Sequence, residues 1–141
     1  MSFKYGEGEI GVFMPSINIE SAKKTAQILK DRAGIPCSII VAIDKERKGF
    51  IASVNSLFRD SNYKYVVYTA EDAFPGIGWL KVAHETLEKT GKGLLAFNDG
   101  KWFGKLASFG MVRTNWVRSW DASGNLFFEG AVISLIMQTM S

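Results

Sequence analysis

The sequence predicts an α/β fold with three layers, in which helices cover both faces of a mostly parallel central sheet. Continuous apolar runs such as residues 65–68 lack the alternation of a half-exposed strand, which is typical of strands buried on both faces. These runs alternate with amphipathic segments, and a strand-helix-strand order favours parallel pairing through right-handed crossovers. With 141 residues, 47% of them hydrophobic and 22% charged, the chain fits a single globular domain over residues 1–141.

The first half of the chain predicts two strands and two helices. Residues 9–14 form the first predicted strand, and Asn18 can cap a helix that ends at Gly34 and Pro36. Residues 38–43 form a second strand that ends on Asp44, and a polar turn then leads through Gly49 into the second helix. The apolar faces of the two helices consist of Ala22, Ala26, Leu29 and Ala33, and of Phe50, Val54, Leu57 and Phe58.

The second half begins regularly and then changes character. The third strand at residues 65–68 is followed by a helix over roughly residues 78–90 and by a fourth strand at residues 93–97. Residues 107–113 predict a further strand that could run antiparallel at the edge of the sheet. Thr114 can then cap a short helix, and residues 129–140 predict a closing helix whose apolar side could pack on a second copy in a homo-oligomer.

Composition disfavours several classes of site. Cys37 is the single cysteine, which rules out an internal disulfide, and His84 is the single histidine, so a zinc site or a Ser-His or Cys-His pair is not expected. No apolar run is long enough to be a transmembrane segment, and the first residues lack the apolar core of a signal peptide, so a cytoplasmic location is expected. The net charge of +3 favours anionic ligands.

Polar residues follow each of the first three predicted strands. If these strands are parallel neighbours, residues 15–18, 44–48 and 70–72 meet at one edge of the sheet, where open α/β folds bind ligands. An acid after the second strand can accept hydrogen bonds from a base or a ribose. A carboxylate after the third can hold a divalent cation that bridges two phosphates. The pattern predicts a nucleotide site, although an acid at such a position can also simply cap the next helix.

The order of these features resembles a known family. The segment IGVFMPSIN, the acid Asp44, the Asn55 of GFIASVNSLF and then YVVYTAEDAFPGIGWL look like the amino-terminal half of a family-2 glycosyltransferase over residues 9–97. The resemblance implies a Rossmann-like sheet of the GT-A type. It also implies a nucleoside-diphosphate sugar as donor, Mn²⁺ or Mg²⁺ as cofactor, and a saccharide or another hydroxyl compound as acceptor.

The resemblance also implies roles for individual residues. Asp72 matches the second acid of the metal-binding motif, and Glu129 in the segment FFEG is the candidate base of an inverting transfer. Trp102 and Trp116 could stack on an acceptor sugar, although core packing is an alternative role for either indole. The residues expected to contact the nucleotide sugar are Pro15, Ser16, Asn18, Asp44, Asn55 and Glu71.

Two departures from the family pattern support an alternative function. The first acid of the metal motif is replaced by Ala70, so a cation would depend on Asp72 alone or on a substitute contact from Glu71. The chain is also shorter than the family usually requires for an acceptor site and a base. A binding or assembly module without transferase activity is therefore the second hypothesis.

A third hypothesis comes from cations that interleave with aromatic residues late in the chain. Single-stranded nucleic acid stacks its bases on such rings and threads its phosphates past the cations. The known RNA-binding signatures are absent, so no nucleic-acid ligand is expected. The cations concerned are Lys101, Lys105, Arg113 and Arg118.

Overall fold

The computed structural model describes residues 2–47, 49–69, 75–96 and 110–120, which form six strands and four helices. In chain order these elements are β1 (Ser2–Tyr5), β2 (Ile10–Ser16), α1 (Ile19–Arg32), β3 (Ser38–Ile43), α2 (Phe50–Arg59), β4 (Tyr65–Tyr68), α3 (Trp79–Thr90), β5 (Leu94–Ala96), β6 (Gly110–Arg113) and α4 (Thr114–Trp120). No helix in these ranges is long and apolar enough to cross a membrane. The predicted closing helix at residues 129–140 lies outside them.

The central sheet is mixed, so the expectation of a mostly parallel, Rossmann-like GT-A sheet is wrong. The strand order is β1-β3-β2-β4-β6-β5. The pairs β2-β3 and β2-β4 are parallel, and the other three pairs are antiparallel. The main cause is β6, which lies between β4 and β5 and separates two strands that run in the same direction. Helical connections correctly predict that β2, β3, β4 and β5 run in the same direction. They do not predict that β6 lies between β4 and β5.

The edges of the sheet also differ from expectation. The strand predicted at residues 107–113 is antiparallel, as β6 over Gly110–Arg113, but it is an interior strand. The edges are β5 and β1. The short β1 was not predicted; its residues alternate between exposed and half-buried, and it pairs antiparallel with β3.

Helices cover both faces of the sheet because successive residues of each buried strand face opposite ways. On one face, Val12 of β2 and Val67 of β4 pack with α1 and α3. On the other face, Phe13 and Val66 pack with α2 and α4. The buried helical residues that complete the first cluster are Ala22, Ala26, Leu29, Leu80, Ala83 and Leu87.

The strand β2 continues two residues further than predicted. Pro15 pairs with Ala42, and Ser16 pairs with Ile43. Proline is tolerated here because the backbone of Pro15 faces the β4 side, as that of Phe13 does, and pairing with β4 ends at Phe13 and Tyr68. No ladder hydrogen bond is therefore lost. The predicted cap of the following helix is confirmed, since the Asn18 side chain accepts a hydrogen bond from the Ser21 amide.

Burial of the Cys37 thiol should lower the stability of the fold at alkaline pH. Cys37 is 3% exposed, and burial raises the pKa of its thiol from 9.0 to about 11, against the opposing effect of nearby Lys30. Below pH 9 the thiol is protonated in both the folded and the unfolded chain. Between pH 9 and 11 the unfolded thiol ionises first, so the free energy of unfolding should fall by about 2 kcal/mol.

Urea unfolding of the wild type and of Cys37→Ala at several pH values from 8 to 11.5 measures this effect. The difference in stability between the two proteins should shrink as the pH rises through this range. Burial also raises the pKa of Tyr68, but that group titrates in both proteins and cancels in the comparison. A difference that stays constant with pH would contradict the prediction.

Candidate functional site

The carboxyl ends of the three parallel strands β2, β3 and β4 lie side by side at one end of the sheet, as expected. The Asp44 amide, directly after β3, donates a hydrogen bond to the Ser16 carbonyl of β2 at 2.7 Å. The Thr69 amide, directly after β4, donates to the Phe13 carbonyl at 3.0 Å. Residues 16–18, 44–47, 49 and 69 are called the rim below.

The connections between the strands diverge at the rim. From β2 the chain crosses through α1 to β3 on one side, and from β3 it crosses through α2 to β4 on the other side of β2. The helices α1 and α2 lie on opposite faces of the sheet. A reversal of this kind between parallel strands leaves a crevice outside their carboxyl ends, which is where α/β proteins bind their ligands. Here the reversal falls between β2 and β4, next to Ser16 and Thr69.

Ser16 and Asn18 organise the start of α1. The Ser16 hydroxyl donates to the Asn18 carbonyl at 3.1 Å and accepts from the Asn18 amide at 3.0 Å. The Asn18 carboxamide oxygen accepts from the Ser21 amide at 3.1 Å, as an N-cap does. These bonds direct the amino terminus of α1, with its partial positive charge, toward the rim.

Asp44 holds the loop that joins β3 to α2. Its carboxylate oxygen Oδ2 accepts from the Gly49 amide at 2.9 Å, and its carbonyl accepts from the Arg47 amide at 3.2 Å. Gly49 is the N-cap of α2 and has φ 98° and ψ 164°, a conformation that is open only to glycine at low cost. The Asp44 carboxylate therefore satisfies the amide of the N-cap residue itself and ties the loop to the start of α2.

Pro15 and Asn55 lie on the elements next to the rim, Pro15 within β2 and Asn55 within α2. Pro15 is half-buried within β2. Asn55 lies on α2, six residues after Gly49 and so about 9 Å along the helix. It is 4% exposed and engaged in an interaction within the protein.

Trp116 lies at the opposite end of the sheet from the rim. The helix α4 begins directly after β6, whose last residue Arg113 pairs with Tyr65 at the start of β4. The Trp116 indole packs against Gly93 and the cluster around Phe58 and Val117. The structure thus gives Trp116 a packing role and does not bring it to the rim.

Four of the predicted site residues lie outside the described residues: Glu71, Asp72, Trp102 and Glu129. Among the residues that the structure does describe, no group of three or more His, Cys, Asp or Glu side chains could hold a metal ion. Asp72, the residue predicted to bind Mn²⁺ or Mg²⁺, lies outside the residues in which this search was possible.

The two described cations of the nucleic-acid hypothesis are used inside the protein. The Arg113 guanidinium donates to the Leu87 carbonyl at 3.0 Å and to the Tyr65 hydroxyl at 3.2 Å. The Arg118 guanidinium donates to the Ser61 carbonyl at 3.1 Å. Arg113 thus joins β6 to α3 and β4, and Arg118 joins α4 to the loop after α2, so both guanidinium groups have partners within the protein.

The sequence analysis gave no individual role to two residues of the rim. Thr69 is fully buried directly after β4, and Arg47 has the left-handed φ of 53°. The position of Thr69 immediately after an apolar strand was a usable signal. The residue type of Arg47 does not indicate its positive φ. That conformation accompanies the hydrogen bonds from the Arg47 and Gly49 amides to Asp44.

Comparison of the chain with protein-family models, with curated proteins and with solved structures found no match.

Proposed function

We propose that this chain binds a nucleoside-diphosphate sugar at the rim and transfers the sugar to a hydroxyl group of a saccharide or another acceptor. The observation that supports the proposal most is the 2.7 Å hydrogen bond between the Asp44 amide and the Ser16 carbonyl. It joins the ends of two parallel strands beside the point where their connections diverge. The resemblance over residues 9–97 is what names the ligand as a nucleotide sugar.

Two groups of the rim have roles in the proposed complex. The Asp44 carboxylate accepts a hydrogen bond from the base or from a ribose hydroxyl. A carboxylate has about four acceptor positions, so its bond to the Gly49 amide is compatible with this second contact. The first-turn amides of α1 lie toward the phosphates, because a helix amino terminus stabilises negative charge.

The proposed reaction is a single displacement at the anomeric carbon. The acceptor oxygen forms the new glycosidic bond as the bond to the diphosphate breaks, and the nucleoside diphosphate leaves with the electron pair. The acceptor proton passes to a carboxylate base, for which Glu129 is the candidate, and the anomeric centre is inverted. A divalent cation held by Asp72 would neutralise charge on the diphosphate.

Calorimetric titration of the full chain with UDP, GDP and ADP, each with Mn²⁺ present, tests the binding step. Asp44→Asn keeps an oxygen acceptor for the Gly49 amide but removes the charge, and hydrogen bonds to charged groups are worth about 1 kcal/mol more than neutral ones. The variant should therefore bind the preferred nucleotide about fivefold more weakly. The matched control is Asp60→Asn, which removes an exposed carboxylate at the other end of α2 and should bind as the wild type does.

Two results would overturn the proposed site. One is the absence of binding for every nucleotide tested. The other is an Asp44→Asn variant that binds as tightly as the wild type while Asp60→Asn does too.

A binding module without transferase activity is the second candidate, and the position of Trp116 favours it. The partly buried Trp116 indole packs at the far end of the sheet, so this side chain provides no stacking platform for an acceptor at the rim. Release of nucleoside diphosphate from a panel of nucleotide sugars, with simple saccharides as acceptors, separates the two functions. Binding with no release above the uncatalysed background supports the module; release lost in Asp44→Asn supports the enzyme.

A further inference from the structure

The loop after β3 holds an arginine in an unusual backbone conformation. Arg47 has φ 53°, and among the described residues it is the only one other than glycine with a positive φ. The left-handed conformation is unfavourable for a residue with a Cβ, and Asn or Asp offset it with local side-chain hydrogen bonds that Arg does not make. The conformation is imposed by Asp44, whose carbonyl accepts from the Arg47 amide at 3.2 Å and whose carboxylate accepts from the Gly49 amide at 2.9 Å.

The Arg47 side chain is exposed and has no partner among the described residues. The other four arginines of the chain all have one. Arg32 donates to the Pro75 carbonyl, Arg113 to the Leu87 carbonyl and Arg118 to the Ser61 carbonyl, and Arg59 is also engaged within the protein. Packing inside the protein therefore accounts for four guanidinium groups but not for Arg47.

The negative charge of the Asp44 carboxylate indicates a role for Arg47 in phosphate binding. A diphosphate bound next to the Asp44 carboxylate meets a like charge, and a cation in the same loop offsets that repulsion. The planar guanidinium matches two phosphate oxygens at once, which an ammonium group does not do. Arg47 is three residues from Asp44 and is tied to it through the backbone.

We propose that Arg47 binds the phosphates of the nucleotide, so that Asp44 has two roles: it contacts the nucleoside and it orients the arginine. This inference rests on the proposed nucleotide site. Arg47 then determines how strongly the rim prefers a nucleoside diphosphate to the bare nucleoside. Lys45, in the same loop and also exposed, has an ordinary backbone conformation and provides the matched comparison.

Titration of the full chain with UDP and uridine, or with the diphosphate and nucleoside of the base that the wild type prefers, tests the inference. Arg47→Ala should weaken binding of the diphosphate about tenfold, the loss of one charge-assisted hydrogen-bonded contact, and should change binding of the nucleoside less than about twofold. The affinity of Arg47→Lys for the diphosphate should lie between those of the wild type and Arg47→Ala, because lysine keeps the charge but not the planar guanidinium group. Lys45→Ala should bind the diphosphate within about twofold of the wild type.

Arg47→Gly separates binding from folding. Glycine adopts a positive φ without strain, so this variant should unfold at the same or a higher temperature than the wild type while losing the same affinity as Arg47→Ala. Equal affinity of Arg47→Ala and the wild type for the diphosphate would overturn the inference and leave the proposed site standing. Equal losses in Arg47→Ala and Lys45→Ala would also overturn it, as a general effect of loop charge. A wild type that binds no nucleotide would overturn both proposals.

Discussion

Replacement of Phe13 by alanine is expected to lower the free energy of unfolding by about 3–5 kcal/mol. Phe13 is fully buried in β2, at the centre of the face covered by α2, and packs with Val54 and Phe58. Its ring also meets that of Tyr63 edge-on at 6.1 Å between centroids. Alanine leaves a cavity between the sheet and α2 that rigid strands cannot close. Urea unfolding followed by circular dichroism measures the loss.

The matched comparison for Phe13→Ala is Ile17→Ala, which removes an apolar side chain that is 57% exposed, four residues further along the chain. That change should alter the free energy of unfolding by less than about 0.5 kcal/mol. A loss below about 1 kcal/mol for Phe13→Ala would mean that α2 does not cover this face as described.

Substitution of Gly93 by alanine is expected to lower the free energy of unfolding by about 1–3 kcal/mol. A Cβ at Gly93 would overlap the indole of Trp116. The backbone at Gly93 cannot easily retreat, because its carbonyl accepts a hydrogen bond from the Arg113 amide of β6 at 2.8 Å. The indole must therefore move out of the cluster that it shares with Val117.

A double-mutant cycle identifies the indole as the cause. In a Trp116→Ala background, Gly93→Ala should cost at least about 0.5 kcal/mol less than it costs alone. Gly76→Ala is the control, since a Cβ at Gly76 would have no neighbour within 4 Å and no positive φ opposes it. The packing described for Trp116 would be contradicted by additive losses in the cycle.

Individual elements could be predicted from the sequence where the signals are local. The strands β3 and β4 have the predicted bounds, and Asn18 caps α1 as expected. Continuous apolar runs, an Asn before an amphipathic segment and glycine after it depend only on neighbours in the chain. The meeting of the β2 and β3 ends at the rim was predictable for the same reason, because a helical crossover makes two strands parallel.

The order of the strands could not be predicted, because it depends on contacts distant in sequence. The strand β6 follows β5 in the chain but joins the sheet between β4 and β5, and no local signal distinguishes an interior antiparallel strand from an edge one. The position of Trp116 could not be predicted for a related reason. An indole on a short helix has the same local pattern whether it packs against Gly93 or faces a ligand.

The most direct test of the nucleotide site at the rim is a titration of ¹⁵N-labelled protein with the preferred nucleoside diphosphate, followed by amide chemical shifts. The largest shifts should fall on the amides of the rim, at residues 16–18, 44–47, 49 and 69. Amides at the opposite end of the sheet, at Lys64, Gly93 and Thr114, should change little. Shifts concentrated at that opposite end, or none at millimolar nucleotide, would contradict it.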